Sequence, residues 1–450
     1  MSSKLFIVLF LSVAVFKTTF QMQPTMAQEE KHLKKPNIIF VLADDLARGD
    51  IGAYGQTKIK TPVLDRIAKE GMRFTQGYSG ASVCAPSRAS LVTGLHTGHC
   101  PIRANREIKP EGQKPLPENT YTIGKLLKEN GYATLCSGKW GMGMFDTSGS
   151  PLKMGFDHFY GYNCQRHAHS YFPTYLYEND KRVELDGKTY SQDIIIQNTL
   201  QWIREHKDKP FFLFYAATLP HGNYEIDDLG IYKDEKDWND RQKTYAAMVT
   251  RLDTQVGQIL DLLKELNLDE ETILFFAGDN GSSFDPNSPI SQLFNSQNGL
   301  RGYKRSLYEG GLRQAFLARW TKHITADTVN DTPIAFWDIL PTVAELVGGK
   351  IPVGVPSDGV SILPALFKGQ SLERDTFYWE LHEGKSIQAA RWKNWKFIKN
   401  DTKKPIELYD LQADPNESND LASKHPDLIK TGENLLRTLR TESPDWQLKD

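Results

Sequence analysis

Two continuous apolar runs in this chain end in clustered oxygen donors. Asn37-Ile38-Ile39-Phe40-Val41-Leu42 passes through Ala43 into Asp44-Asp45, and Thr272-Ile273-Leu274-Phe275-Phe276-Ala277 passes through Gly278 into Asp279-Asn280-Gly281. Adjacent carboxylates repel one another unless a cation or basic groups lie between them. Three carboxylates and an amide oxygen make an all-oxygen set suited to Ca²⁺ or Mg²⁺ rather than zinc. One such strand end more often caps a turn, but two, each with Asp beside a second oxygen donor, favour a metal. A third segment, Ser82-Val83-Cys84-Ala85-Pro86-Ser87-Arg88-Ala89-Ser90, opens a helix running to about Gly94. A cysteine at a helix N-terminus with an arginine one turn on feels positive potential that lowers its pKa and suits a thiolate nucleophile. A cysteine ahead of a helix is also a common structural residue, and these residues alone leave both roles open.

The elements that must position these groups alternate from Pro36 to about Gly348. Helical periodicity covers 61–71, 122–130, 192–206 and 245–266, and strand-like runs cover 37–42, 132–135, 210–216 and 272–277. Apolar strands separated by helices predict an α/β fold with a large, mainly parallel sheet covered on both faces. Ligands of such sheets bind beyond the carboxyl ends of the strands, where both acidic stretches fall. After Gly348-Gly349 the rhythm changes to short strands over 376–381, 386–391, 395–399 and 407–410, then a helix around 427–440. This predicts a smaller C-terminal antiparallel sheet with a helix. The expected division is a leader over 1–27, a catalytic domain over 36–348 and a C-terminal subdomain over 349–450 that edges the active site.

Composition narrows the function. The chain has 450 residues, with 54 Lys and Arg against 56 Asp and Glu, so no whole-protein field gathers nucleic acid. A chain this long folds without a metal staple, so a metal site in it points to chemistry. Lys4 precedes an apolar run from Leu5 to Phe16, broken by Ser12 and followed by a small-residue site ending at Ala27. That order is a secretory signal and too short for a membrane span, so the protein is expected to be exported, periplasmic or secreted. Four cysteines (Cys84, Cys100, Cys136 and Cys164) allow two disulfides or none, and their spacing matches no zinc pattern.

Cys84-Ala85-Pro86-Ser87-Arg88, continuing as Leu91-Val92-Thr93-Gly94, resembles the signature of the type I, formylglycine-dependent sulfatases of the alkaline phosphatase superfamily. Further landmarks follow in family order: Asp44-Asp45, Gly138-Lys139-Trp140, Pro220-His221, Gly278-Asp279-Asn280-Gly281, and Leu300-Arg301-Gly302-Tyr303-Lys304 leading to Glu309-Gly310-Gly311-Leu312-Arg313. The resemblance implies that a maturation enzyme oxidises Cys84 to formylglycine, whose hydrated aldehyde is the nucleophile. It implies Ca²⁺ held by Asp44, Asp45, Asp279 and Asn280 and contacting position 84. Arg88, Lys139 and Lys304 match the cations around nucleophile and sulfate, and His221 matches the histidine that protonates the departing alcohol. The implied activity is hydrolysis of sulfate monoesters, with a sulfated carbohydrate the expected substrate.

One position departs from the family text. Gly-Lys-Trp-His is usual, whereas this chain reads Gly138-Lys139-Trp140-Gly141. The missing histidine is the one that takes a proton from the diol, and His167 and His169 are the candidates to replace it. In an extended strand both would face one side, and His169 is expected near the sulfate or sugar. Trp379-Glu380-Leu381-His382-Glu383 ends a strand with groups suited to a sugar, so His382 and Glu383 are expected substrate contacts. Two rivals remain at this stage: a phosphodiester or phosphonate hydrolase of the same superfamily, and a catalytically weak sulfoglycan-binding protein.

Overall fold

The computed structural model describes residues 35–109 and 111–449. The leader expected over 1–27 lies outside the described residues. Eleven strands build the larger sheet: β1 (Asn37–Ala43), β2 (Met72–Tyr78), β3 (Ala133–Lys139), β4 (His158–Tyr162), β5 (Tyr175–Glu178), β6 (Lys181–Glu184), β7 (Phe211–Ala216), β8 (Thr272–Gly278), β9 (Arg313–Arg319), β10 (Thr328–Asn330) and β11 (Ile334–Ala335). Their order is β10-β2-β9-β8-β1-β7-β3-β4-β5-β6, with β11 also on β2. The centre, β8-β1-β7-β3-β4, is parallel, while β9 runs against both β8 and β2.

Alternate residues of β1 face opposite sides of the sheet, and each side meets its own core. Ile39, Val41 and Ala43 pack with residues of α4 (Ser191–Glu205) and α5 (Asp240–Glu265). In chain order these helices follow α1 (Pro62–Glu70), α2 (Cys84–Thr93) and α3 (Ile123–Glu129). Ile38, Phe40 and Leu42 pack instead with Ala89 and Leu91 of α2 and with Leu126 and Leu127 of α3. Each fully buried Phe, Leu or Ile contributes about 1.5–3 kcal/mol, so the sandwich fixes where the strand ends lie.

Register does the rest. Ala43 of β1 pairs with Gly278 of β8, and Leu42 pairs with Ala216 of β7, which in turn faces Gly138 of β3. Asp44, Lys139 and Asp279 therefore end their strands at nearly one level. The sequence pattern stops β3 at residue 135, but the strand runs on through Cys136, Ser137 and Gly138 to Lys139. Gly138 has φ +102, and a Cβ there would lie 2.1 Å from the Ala216 carbonyl oxygen. A side chain at 138 is therefore excluded, and the glycine lets β3 deliver Lys139 beside β7.

The smaller sheet has the order β12 (Thr376–Glu383), β13 (Lys385–Trp392), β14 (Trp395–Lys399), β15 (Glu407–Asp410), all antiparallel, followed by a helix over Pro426–Thr438. Trp379 of β12 donates from Nε1 to the Ser79 carbonyl at 3.0 Å and shares a core with Tyr78, Val83 and Trp337, next to the start of α2. All four cysteines are unpaired and buried. No helix among the described residues is long and apolar enough to cross a membrane.

Candidate active site

Past the strands the β1–β8 register continues, with the Asp279 N–H donating to Ala43 O at 2.9 Å, while the Asp44 N–H donates to Leu219 O at 3.0 Å, beyond the end of β7. Asp45 takes φ +62, a left-handed conformation that Asp tolerates, and its N–H donates to Asp279 Oδ1 at 3.1 Å. Asn280 Nδ2 donates to Asp45 Oδ1 at 2.7 Å. Helix α2 arrives from below, held by Ser87 Oγ, which donates to the Asp279 carbonyl at 2.5 Å and accepts from the Gly80 N–H at 3.1 Å. Cys84 is thereby set with Sγ 3.4 Å from Asp44 Oδ1 and 3.5 Å from Lys304 Nζ.

Three buried cations interleave with the three carboxylates. Lys139 Nζ lies 2.6 Å from Asp44 Oδ2, and Lys304 Nζ lies 2.6 and 2.8 Å from the two Asp45 oxygens. Arg88 clamps Asp279 Oδ2 at 2.9 and 3.2 Å and donates to the Lys139 carbonyl at 2.9 Å. His221 Nε2 stands 3.4 Å from Asp45 Oδ2, with the His169 ring stacked on it at 4.5 Å. Charges taken this far from water are tolerable only when paired in this way.

The pairing shows in the titration of each group. Burial works to raise Asp44, but Lys139, His221, Arg88 and Lys304 together hold it well below the usual carboxylate range. Asp45 is lowered likewise, chiefly by Lys304 against burial, whereas burial and the Asp44 charge push Asp279 up to about 7. Burial pushes His221 down to about 4. The helix-terminus expectation for Cys84 is overturned: burial, then the Asp44 charge, push the thiol up to about 12, outweighing Lys139 and Lys304.

The donor set fits a hard divalent cation. Asp44, Asp45, Cys84 and His221 each present a ligand atom within 4.8 Å of the others. Asn280 Oδ1 is buried at the same place and has no hydrogen-bond partner among the described residues. Asp44, Asp45 and Asn280 supply the oxygen atoms that such ions seek, and Asp279 adjoins them through Oδ1, which accepts from the Asp45 N–H at 3.1 Å.

Above this floor opens a cavity of about 480 Å³, lined by Cys84, Lys304, His169, His221 and Gln165, with Arg305 and Glu383 at its rim. His167 and His169 do not share a strand face. They lie in a 3₁₀ turn (His167–His169), so their rings diverge: His169 goes to the cavity, while His167 stacks on Tyr175 at 4.0 Å. His382 is also displaced from its expected place. Its Nε2 bonds Glu380 at 2.9 Å, its Nδ1 meets Ser386 Oγ at 3.1 Å, and it does not line this cavity. Glu383 accepts from the Asn105 N–H at 3.2 Å and from Arg305 Nε at 2.8 Å.

Asn105, Arg305 and Gln165 escaped the sequence reading. Asn105 Oδ1 accepts from the Ala85 N–H at 3.0 Å, beside the nucleophile position, yet no local pattern marks it. The one available signal was the missing side chain at Gly141, which left room either for a substitute residue or for part of the substrate.

The sulfatase family model matches residues 36–349, and a model described as N-sulphoglucosamine sulphohydrolase, C-terminal, matches residues 301–442. The chain is 32% identical to the N-acetylgalactosamine-6-sulfatase of Homo sapiens over 381 residues, covering 79% of this chain and 70% of that protein. It is 27% identical to the N-acetylgalactosamine-6-O-sulfatase of Bacteroides thetaiotaomicron, covering 93% and 96%. Among solved structures, Ps i-CgsB in complex with k-i-k-neocarrahexaose superposes with a TM-score of 0.81 at 30% identity, covering 92% of this chain and 95% of that one. The chain belongs to the sulfatase family. It is a sulfatase, a hydrolase of sulfate esters.

Proposed function

We propose that this sulfatase removes O-sulfate from carbohydrate after export, using a formylglycine made from Cys84 by a separate maturation enzyme, and a bound calcium ion. The observation that carries the proposal is the position of Cys84 Sγ at the base of the cavity, between Asp44 and Lys304. The curated relatives named above act on N-acetylgalactosamine sulfates, and a solved neighbour holds a carrageenan oligosaccharide, which supports a sulfated sugar as substrate.

Asp44, Asp45, Asp279 and Asn280 would hold the ion, which would supply Lewis-acid chemistry to the sulfate group. Oxidised and hydrated, position 84 would supply one hydroxyl that attacks sulfur as the alcohol departs, and a second that gives its proton to the neutral His169 imidazole while the carbonyl re-forms and sulfate leaves, avoiding a stable sulfated serine-like dead end. Lys139, Lys304 and Arg88 offset the charge that gathers on the transferring group. His221 is neutral in the empty cavity, and a bound anionic ester draws its pKa back up. It then protonates the departing alcohol oxygen. His169, stacked on His221, borders the sulfate, and Glu383 with Arg305 meets the sugar at the rim.

The test is sulfate release from a panel of defined sulfated sugars, run beside aryl phosphate diesters. Sulfate appears from at least one sugar, EGTA abolishes it and added Ca²⁺ restores it. Hydrolysis of diesters alone, or turnover indifferent to EGTA, overturns the corresponding part of the proposal. His169→Ala, made in the same protein, lowers kcat/KM by about 10²-fold, the scale of one proton-transfer or positioning group. Turnover at the wild-type rate removes His169 from the site.

A further inference from the structure

Gly141 takes φ +76, and a Cβ built on it would lie 2.9 Å from Gln165 Cγ and 3.1 Å from Gln165 Nε2. The space that a side chain at 141 would occupy is thus filled by the carboxamide of residue 165. The two positions meet because the β3–β4 pairing continues past the strand ends: the Trp140 N–H donates to Tyr162 O and the Gly141 N–H to Asn163 O, both at 3.0 Å. Residue 141 lies two positions beyond Lys139, whose Nζ is on Asp44. Gln165 therefore packs against the backbone two residues beyond Lys139, in the lining of the cavity that also holds Cys84.

Gln165 is held by its own N–H, which donates to Gln113 Oε1 at 3.3 Å. The residue is 8% exposed, it lines the same cavity as Cys84, and its Nε2 has no hydrogen-bond partner among the described residues. A buried amide nitrogen without an acceptor is unfavourable, so its acceptor is to be sought in what fills the cavity. The NH₂ group only donates, and a neutral amide takes up no proton at neutral pH. Its fitting partner is a group made only of acceptors. Sulfate oxygens meet that condition and, being anionic, form a stronger hydrogen bond with it than a sugar hydroxyl does.

We propose that Gln165 Nε2 donates a hydrogen bond to an oxygen of the substrate's sulfate group, so that an amide from the 162–171 segment does the contact work that a side chain at 141 cannot. The inference rests on the sulfatase reading of the cavity and adds a substrate-contacting residue to it.

The test uses Gln165→Met, which keeps the volume and removes the donor, and Gln165→Glu, which sets a carboxylate against the anion. Inorganic sulfate is titrated into the full chain by calorimetry, and kcat/KM is measured on an aryl sulfate and on a sulfated sugar. Gln165→Met weakens sulfate binding about tenfold and lowers kcat/KM by a similar factor on both substrates, while Gln165→Glu abolishes detectable sulfate binding. Melting temperatures near that of the wild type show that both variants fold. Unchanged sulfate affinity in Gln165→Met overturns the inference, as does a loss confined to the sugar substrate. A wild type that binds no sulfate overturns it too. A wild type that binds sulfate but releases none from any sulfated sugar refutes the proposed carbohydrate substrate alone, because the calorimetric comparison still decides the role of Gln165.

Discussion

Cys84→Ala releases no sulfate from any ester, a loss of at least about 10⁴-fold, the scale on which deletion of an attacking group is felt. Sγ of residue 84 lies at the base of the cavity, against Asp44 and Lys304. Its removal leaves the surrounding cations and carboxylates able to bind but without an atom to attack sulfur. Alanine is smaller and fits the first turn of α2, so the melting temperature stays close to that of the wild type. Mass spectrometry of the peptide containing residue 84 from active protein reads an aldehyde. A fully active preparation carrying only thiol at this position, or a Cys84→Ala variant with unimpaired turnover, overturns the proposed chemistry.

Lys396→Met destabilises the fold by about 3–5 kcal/mol, the cost of leaving a buried charge without its partner. Lys396 is fully buried, with Nζ 2.8 Å from Glu309 Oε1 and 2.9 Å from Glu417 Oε1, tying β14 to the turn that precedes β9. Burial works to raise Glu309, but Lys396, Arg313 and Arg391 hold it down to about 2. Its ionised form therefore stabilises the native protein above pH 4.5, and this contribution fades as pH falls from 4.5 towards 2. Burial pushes Glu417 the other way, to about 7, with Glu309 adding to burial and Lys396 opposing. Without the ammonium both carboxyls rise further, so the variant's deficit is greatest at pH 8 and narrows towards pH 5, where they are protonated at less cost. Urea unfolding of both proteins at the two pH values measures this. Equal deficits would show that packing of the lysine stem, and not its charge, holds the junction.

The acidic strand ends were legible because apolar runs and the residues that close them are local. The register that brings them together, Ala43 beside Gly278, follows from burying both strands in the centre of one sheet. Strands β2 and β9 were not legible. Met72–Tyr78 and Arg313–Arg319 have charged or polar residues among the apolar ones, and they pair across more than 200 residues of chain. The fate of His382 was equally hidden. Its neighbour Glu380 also accepts from Arg103 at 2.6 Å and Arg440 at 2.9 Å, so partners from distant segments draw the imidazole away from the cavity. Cys84 shows a different limit. Its helix-terminus context was visible, but the burial that dominates its titration belongs to the assembled core.

Residue 84 is 1% exposed, and every residue of α2 is buried between the large sheet and the elements that cover it. A small ester reaches the sulfur through the cavity, but no protein can grip the surrounding backbone once the chain has closed. On the proposed chemistry, an enzyme that oxidises this cysteine would have to meet the polypeptide while it is still extended. Timing would then be part of the enzyme's making: a chain that collapsed before oxidation would close around an unconverted thiol.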